Sequence, residues 1–240
     1  MAGREQSDPF RLKVWGENAC FTRPEMKVER VSYDVMTPSA ARGILEAILW
    51  KPAIRWRVTR IDVLKPIRWE SVRRNEVGCR MTPSSNGFCV DEMKPDGGLK
   101  YRQQRAGLFL RDVAYTIHAL IELTDRAGAD EKMGKFVDMF LRRVESGQCF
   151  HRPCLGTREF AAEFALVPRG APDPAPIDES RDLGWMLLDV IHDAIDDANH
   201  VHTCNERCAP RFFNATLDRG RLVEKGRDGI PLLEGEGVRG

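Results

Sequence analysis

Between Lys51 and Arg80 the chain carries nine cationic side chains (Lys51, Arg55, Arg57, Arg60, Lys65, Arg68, Arg73, Arg74 and Arg80) against only Asp62, Glu70 and Glu76. Trp50, Trp56 and Trp69 are interleaved with them. Guanidinium groups neutralise phosphates and stack on bases, and aromatic faces accept unstacked bases, so this composition is suited to nucleic-acid binding. The alternative is a solvated strand face laced with salt bridges over core tryptophans. His118, close to Thr116, is a candidate general acid or base because an unperturbed imidazole titrates near 6.5. A hydrogen-bonded sheet histidine is the competing reading. His151, between Phe150 and Arg152, could meet a phosphate or cap a turn. His200, His202, Cys204 and Cys208 are a donor set that zinc accepts, but the spacing is not that of a zinc finger, and a surface loop with free thiols is the favoured reading.

The overall balance hides a gradient. Lys and Arg total 37 and Asp and Glu 36, a formal net charge of +1. Residues 1–80 hold 16 basic and 10 acidic side chains, whereas residues 171–240 hold 8 and 14. A basic first third points to a polyanion site built mainly from the front of the chain. No phosphate-binding glycine loop, dinucleotide fingerprint or Gly-x-Ser-x-Gly elbow is present, so NTP hydrolysis and hydride transfer lose their usual signatures. The 240 residues, 42% of them hydrophobic, suit a globular protein. No apolar run approaches the roughly 20 residues of a membrane span, and the polar N-terminus lacks the apolar stretch of a signal peptide. An odd number of cysteines, seven, fits free thiols in a reducing cytoplasm.

The elements that would position these groups follow from periodicity. Phe10, Leu12 and Val14 alternate with Arg11, Lys13 and Trp15, a half-buried strand with a basic outer face. Thr37 suits an N-cap and Pro38 the first helical position, the stripe Ala41, Ile44, Leu45 and Ile48 continues the helix, and Pro52 ends it. Gly43 inside that helix suggests close packing. Ile54–Leu64 reads as a strand whose apolar parity shifts near Thr59-Arg60, the mark of a bulge. Residues 80–107 read as a long polar insertion. Leu108–Leu123 is the longest strand candidate, with Phe109, Val113, Tyr115, Ile117, Ala119 and Ile121 on one face and Asp112, Thr116, His118 and Glu122 on the other. A helix over about 130–146 carries Met133, Phe136, Val137, Phe140, Leu141 and Val144, with Gly147 just past its end. Cys154–Val167 returns to strand-like text, Gly170–Pro176 is a stiff linker, and Leu183–Ile191 is the main apolar stretch of the tail. The order strand, helix, strand, strand, helix, strand predicts an α+β fold: a ferredoxin-like, split βαβ domain over 1–170, followed by a smaller C-terminal β-rich region and tail over 171–240.

The sequence also resembles the Cas5 family, D subtype, of type I-C CRISPR systems. The resemblance rests on the run Val14–Val35, on Thr37–Pro52, Val63–Arg68, Arg73–Val77, Arg102–Arg105, Leu110–Tyr115, Cys154–Phe160 and Asp182–Met186, in colinear order. It implies a ferredoxin-like, RNA-recognition-type domain with a smaller C-terminal antiparallel sheet. It also implies a metal-independent, cofactor-free endoribonuclease that cleaves the CRISPR precursor transcript and stays on the crRNA 5′ handle. Implied partners are CRISPR repeat RNA, the other subunits of a type I-C interference complex and, through that complex, target DNA, with no membrane. Arg55, Arg57, Arg73, Arg74, Arg102, Arg105 and Arg158 are the expected phosphate contacts, and His118, Lys51 and Tyr115 the candidate catalysts. Leucine stands at two positions, Leu49 and Leu120, where the resemblance implies proton-transferring side chains in cleaving members. A non-cleaving crRNA cap is therefore the alternative.

Overall fold

The computed structural model describes residues 5–26, 28–79, 89–192 and 208–231. Among the described residues, nine strands and two helices follow in the order β1 (Phe10–Ala19), β2 (Arg30–Val31), α1 (Pro38–Ile48), β3 (Ile54–Val63), β4 (Trp69–Val77), β5 (Arg102–Leu123), α2 (Met133–Glu145), β6 (Glu163–Leu166), β7 (Arg181–His192), β8 (Cys208–Asp218) and β9 (Arg221–Glu224). The strands form one sheet in the order β6-β1-β5-β3-β9-β8-β7, with β2 and β4 paired to the extended half of β5. All pairings are antiparallel except β2 with β5. The architecture is thus a mostly antiparallel sheet with two helices. The β7–β9 strands join it by pairing β9 to β3 at Ile61–Leu222 and Asp62–Arg221.

Local chemistry explains the boundaries. Thr37 Oγ1 accepts a hydrogen bond from the Ala40 amide at 3.2 Å, and Pro38 opens α1. Ala41, Ile44, Leu45 and Ile48 bury one stripe of α1 against the sheet; Phe136, Phe140 and Val144 do the same for α2. Phe140 meets Trp56 of β3 and Phe10 of β1 at ring-centroid separations of 4.7 and 4.9 Å, tying three elements together. The bulge in β3 falls between Val58 and Arg60, where the apolar parity shifts. Gly147 ends α2 with a φ of 66°.

Three expectations are corrected. Gly43 lies on the exposed side of α1, and a Cβ there would meet nothing within 4 Å, so no close packing requires glycine. The insertion ends earlier than 107, because β5 begins at Arg102 and pairs with β4 from Val77–Arg102 to Trp69–Leu110. Solvent bathes much of that ribbon, so its sequence lacks the apolar alternation of a half-buried strand. Phe109 does not share the core face of Val113 and Tyr115. Asp112 takes a φ of 54°, Leu110 enters the core instead, and Phe109 packs edge-on against Phe160 at 5.1 Å. His200, His202 and Cys204 lie outside the described residues, as does the side chain of Cys208.

Candidate nucleic-acid interface

β5 has two halves with different partners. Its second half lies between β1 and β3 in the sheet, and its first half pairs with β4 as a ribbon. Arg74 and Arg105 are directly opposite each other in that ribbon. Like charges in this arrangement repel. The loop 154–160 relieves part of the repulsion: Glu159 accepts from Arg74, with one contact at 3.1 Å. That hydrogen bond holds the Glu159 carboxyl below its ordinary range. The Arg74 guanidinium also lies 5.1 Å from the centroid of the Phe109 ring. Gly107 makes room for the ring, since a Cβ there would fall 2.4 Å from Phe109. Gly156 seats the loop itself: its φ is 90°, and a Cβ would fall 1.9 Å from the Cys20 carbonyl oxygen.

Arg105 donates to the Val28 carbonyl at 3.3 Å and to Gln103 at 3.1 Å, so its charge has no carboxylate among these contacts. Arg30, from β2, pairs with Glu76. Together these side chains line a cleft between the 22–30 segment and the ribbon, with Met26 and Val28 as its apolar part. Arg73 and Arg158 are exposed and form no ion pair among the described residues, whereas Arg102 meets Asp91 at 2.6 Å. Five of the seven expected phosphate contacts therefore lie on the ribbon and the loop beside it, with Arg74 and Arg105 on one ribbon face and Arg73 and Arg102 on the other.

The other two lie elsewhere. Arg55 and Arg57, on β3, both donate to Glu122 of β5, which also accepts from Gln6 at 2.8 Å. Burial raises the Glu122 carboxyl, but these hydrogen bonds outweigh it and hold the group below its ordinary range. On the same sheet face, His118 Nε2 lies 3.0 Å from Asp62 Oδ2. Burial likewise raises Asp62, and hydrogen bonds from His118 and Arg60 reverse the shift. Arg60 bridges Asp62 and Asp173, and Arg11 holds Asp173 at 2.7 Å and the Ala171 carbonyl at 2.8 Å. The linker after β6 thus straps the face beside His118. Asp62, His118 and Asp173 could ligate a metal by distance, but the two guanidinium groups already neutralise both carboxylates.

The three candidate catalysts are not assembled into one site. Tyr115 is buried in the core on the opposite face of β5 from His118; it packs edge-on against Phe21 at 5.9 Å, and burial pushes its phenol well above the ordinary value. Lys51 is exposed just past the end of α1. Leu49 is fully buried at that helix end, and Leu120 is half-buried two residues beyond His118. Sequence reasoning missed Arg30 of the cleft and the Asp173 contact. Asp173 sits in a proline-rich linker with no periodicity to orient it. Arg30 had a signal, its place in the basic first third of the chain.

Comparison with known proteins places this geometry in a family. The model for the family described as CRISPR-associated protein (Cas_Cas5), D subtype, matches residues 10–222. The chain belongs to that family. It is similar to a CRISPR pre-crRNA endoribonuclease Cas5d of Mannheimia succiniciproducens, with 49% identity over 230 residues, covering 88% of this chain and 92% of that protein. A protein of the same name from Thermus thermophilus is 41% identical over 238 residues, covering 94% of this chain and 96% of its own length. A crystal structure of a CRISPR-associated protein superposes with a TM-score of 0.65 over 95% of this chain and 98% of that one, at 21% identity, a likeness of fold.

Proposed function

We propose that the chain is a CRISPR pre-crRNA endoribonuclease that binds repeat RNA, cuts the precursor transcript without a metal and remains on the crRNA 5′ handle as a subunit of a type I-C interference complex. The observation that carries this reading is the match to two relatives of that name over nearly their whole lengths. The cationic ribbon supports it by offering Arg73, Arg105 and Arg158 to a phosphate backbone. We read the β6-β1-β5-β3 order, with α1 and α2 on one face, as ferredoxin-like, with a boundary near residue 170 before the β7–β9 region. A cytoplasmic location belongs to the same reading. No helix among the described residues is long and apolar enough to cross a membrane.

The chemistry needs no redox or Lewis-acid step. The ribose 2′-oxygen attacks the adjacent phosphorus, a base takes the hydroxyl proton, the P–O5′ bond breaks, and an acid returns a proton to the leaving oxygen. A 2′,3′-cyclic phosphate and a 5′-hydroxyl result. His118 is the candidate for proton transfer, with Asp62 fixing its ring through the 3.0 Å contact, whereas Lys51 lies outside that site and would meet the RNA elsewhere. The test is cleavage of a repeat hairpin in EDTA. Cleavage that persists in EDTA and is lost in His118→Ala is the expected result; cleavage abolished by EDTA and restored by a divalent metal overturns the metal-independent reading.

A second reading has its own support. His118 is nearly covered, Tyr115 is in the core, and Leu49 and Leu120 cannot move a proton. The chain would then be a cap that binds the processed handle and cuts nothing. Tight hairpin binding with no cleavage under any metal condition selects it.

A further inference from the structure

The C-terminal end of α1 carries an unusual concentration of exposed aromatic surface. Phe150 is 82% exposed and Trp50 43%. Neighbouring segments bond the last carbonyls of the helix. Ala47 O accepts from the Phe150 amide at 2.8 Å and the His151 amide at 3.4 Å, Ile48 O accepts from the Arg143 guanidinium, and Leu49 O accepts from Trp56 Nε1 at 2.8 Å. A helix end normally leaves these acceptors to water or a cap. These bonds tie the Phe150 and His151 backbone to Ala47, three residues before Trp50. The His151 ring stands edge-on to Phe150 at 5.9 Å.

The segment that carries Phe150 is basic, and Lys51 beyond α1 has Glu131 as an electrostatic neighbour. Residues 146–158 contain Arg152, Arg158 and His151 and no acidic residue, and Lys51 follows Trp50 directly. Arg152 is paired with Glu163 at 2.6 Å, while Lys51 is exposed. Single exposed apolar side chains are ordinary on protein surfaces. Two exposed aromatics, a histidine and a lysine at one helix end instead match the way proteins hold unpaired nucleotides: base on ring, phosphate on cation.

We infer that Trp50 and Phe150, flanked by His151 and Lys51, form a stacking platform for an unpaired base of bound RNA. This rests on the proposed RNA function and adds a subsite to it, distinct from the arginine ribbon. The platform accepts any base, since every base has a π-face, and it acts on the single-stranded flank of a hairpin rather than on the stem.

The experiment compares the full chain with Phe150→Ala, Phe150→Tyr and Trp50→Ala on two RNAs, a repeat hairpin alone and the same hairpin with unpaired extensions carrying 2-aminopurine. Phe150 is largely exposed, so the alanine variant keeps the wild-type melting temperature. Phe150→Ala is expected to weaken binding of the extended RNA by about tenfold and to abolish the fluorescence quench of the probe base. It leaves the hairpin alone unchanged, and Phe150→Tyr restores both readouts. Equal affinities for wild type and Phe150→Ala on the extended RNA, with the quench intact, overturn the inference. Failure of the wild-type chain to bind either RNA overturns the RNA function itself, a distinguishable outcome.

Discussion

The sheet face and the ribbon carry similar numbers of arginines and use them in opposite ways. On the face, Arg55 and Arg57 converge on one buried carboxylate, Glu122, and Arg11 and Arg60 hold Asp62, Asp173 and the strap beside His118. These cations are structural: they compensate buried negative charge and fix the linker. On the ribbon the pairing is partial. Arg74 and Arg102 meet exposed acids, Arg105 leans on neutral oxygens, and Arg73 and Arg158 reach solvent. The presence of arginine in a strand therefore does not make a phosphate site. What matters is whether a carboxylate across the sheet has already neutralised the charge.

Stability measurements should separate the two regions. Glu122→Gln removes the buried carboxylate that Arg55 and Arg57 share, and urea denaturation is expected to show a loss of about 3 kcal/mol. A loss below about 1 kcal/mol would remove the structural role of Arg55 and Arg57. Gly107→Ala forces a methyl against the enclosed Phe109 ring, with an expected cost of about 1–3 kcal/mol by the same measurement. No cost would mean that the Phe109–Arg74 stack is loose.

A smaller effect should appear in the pH dependence. Asp62 titrates in the folded chain below its ordinary 3.8, so its contribution is complete above that value and is lost as the pH falls through the folded value. Asp62→Asn is expected to flatten the acid limb of stability below about pH 4. An unchanged acid limb would deny the His118–Asp62–Arg60 network that role. The smallest effect belongs to the ribbon: Glu159→Gln breaks a pair a third exposed on each side and should cost less than about 1 kcal/mol. It should also raise RNA affinity by freeing Arg74. Weaker RNA binding in this variant would show that the loop, rather than the free charge, sets affinity.

Much of the scaffold was legible in the sequence because its signals are local. The Thr37-Pro38 start, the Phe136–Phe140–Val144 stripe and the parity shift before Arg60 each state their geometry within a few residues. The first half of β5 was not legible, because a ribbon bathed by solvent carries no periodicity, and β2 is two residues long. For the site, residue type identified the cations but not their availability. Glu122 is 65 residues from Arg57, and Asp173 is 113 from Arg60. No local pattern records such partners. Likewise, strand alternation could place His118 and Tyr115 on opposite faces, yet only the folded core shows that the tyrosine is unreachable.

The most direct test of the account is the salt dependence of repeat-hairpin binding. The triple variant Arg73→Ala, Arg105→Ala, Arg158→Ala is expected to bind more weakly at low salt and to lower the slope of log affinity against log salt by roughly 2 to 3. A slope equal to that of the wild-type chain would contradict the assignment of the RNA backbone to the ribbon.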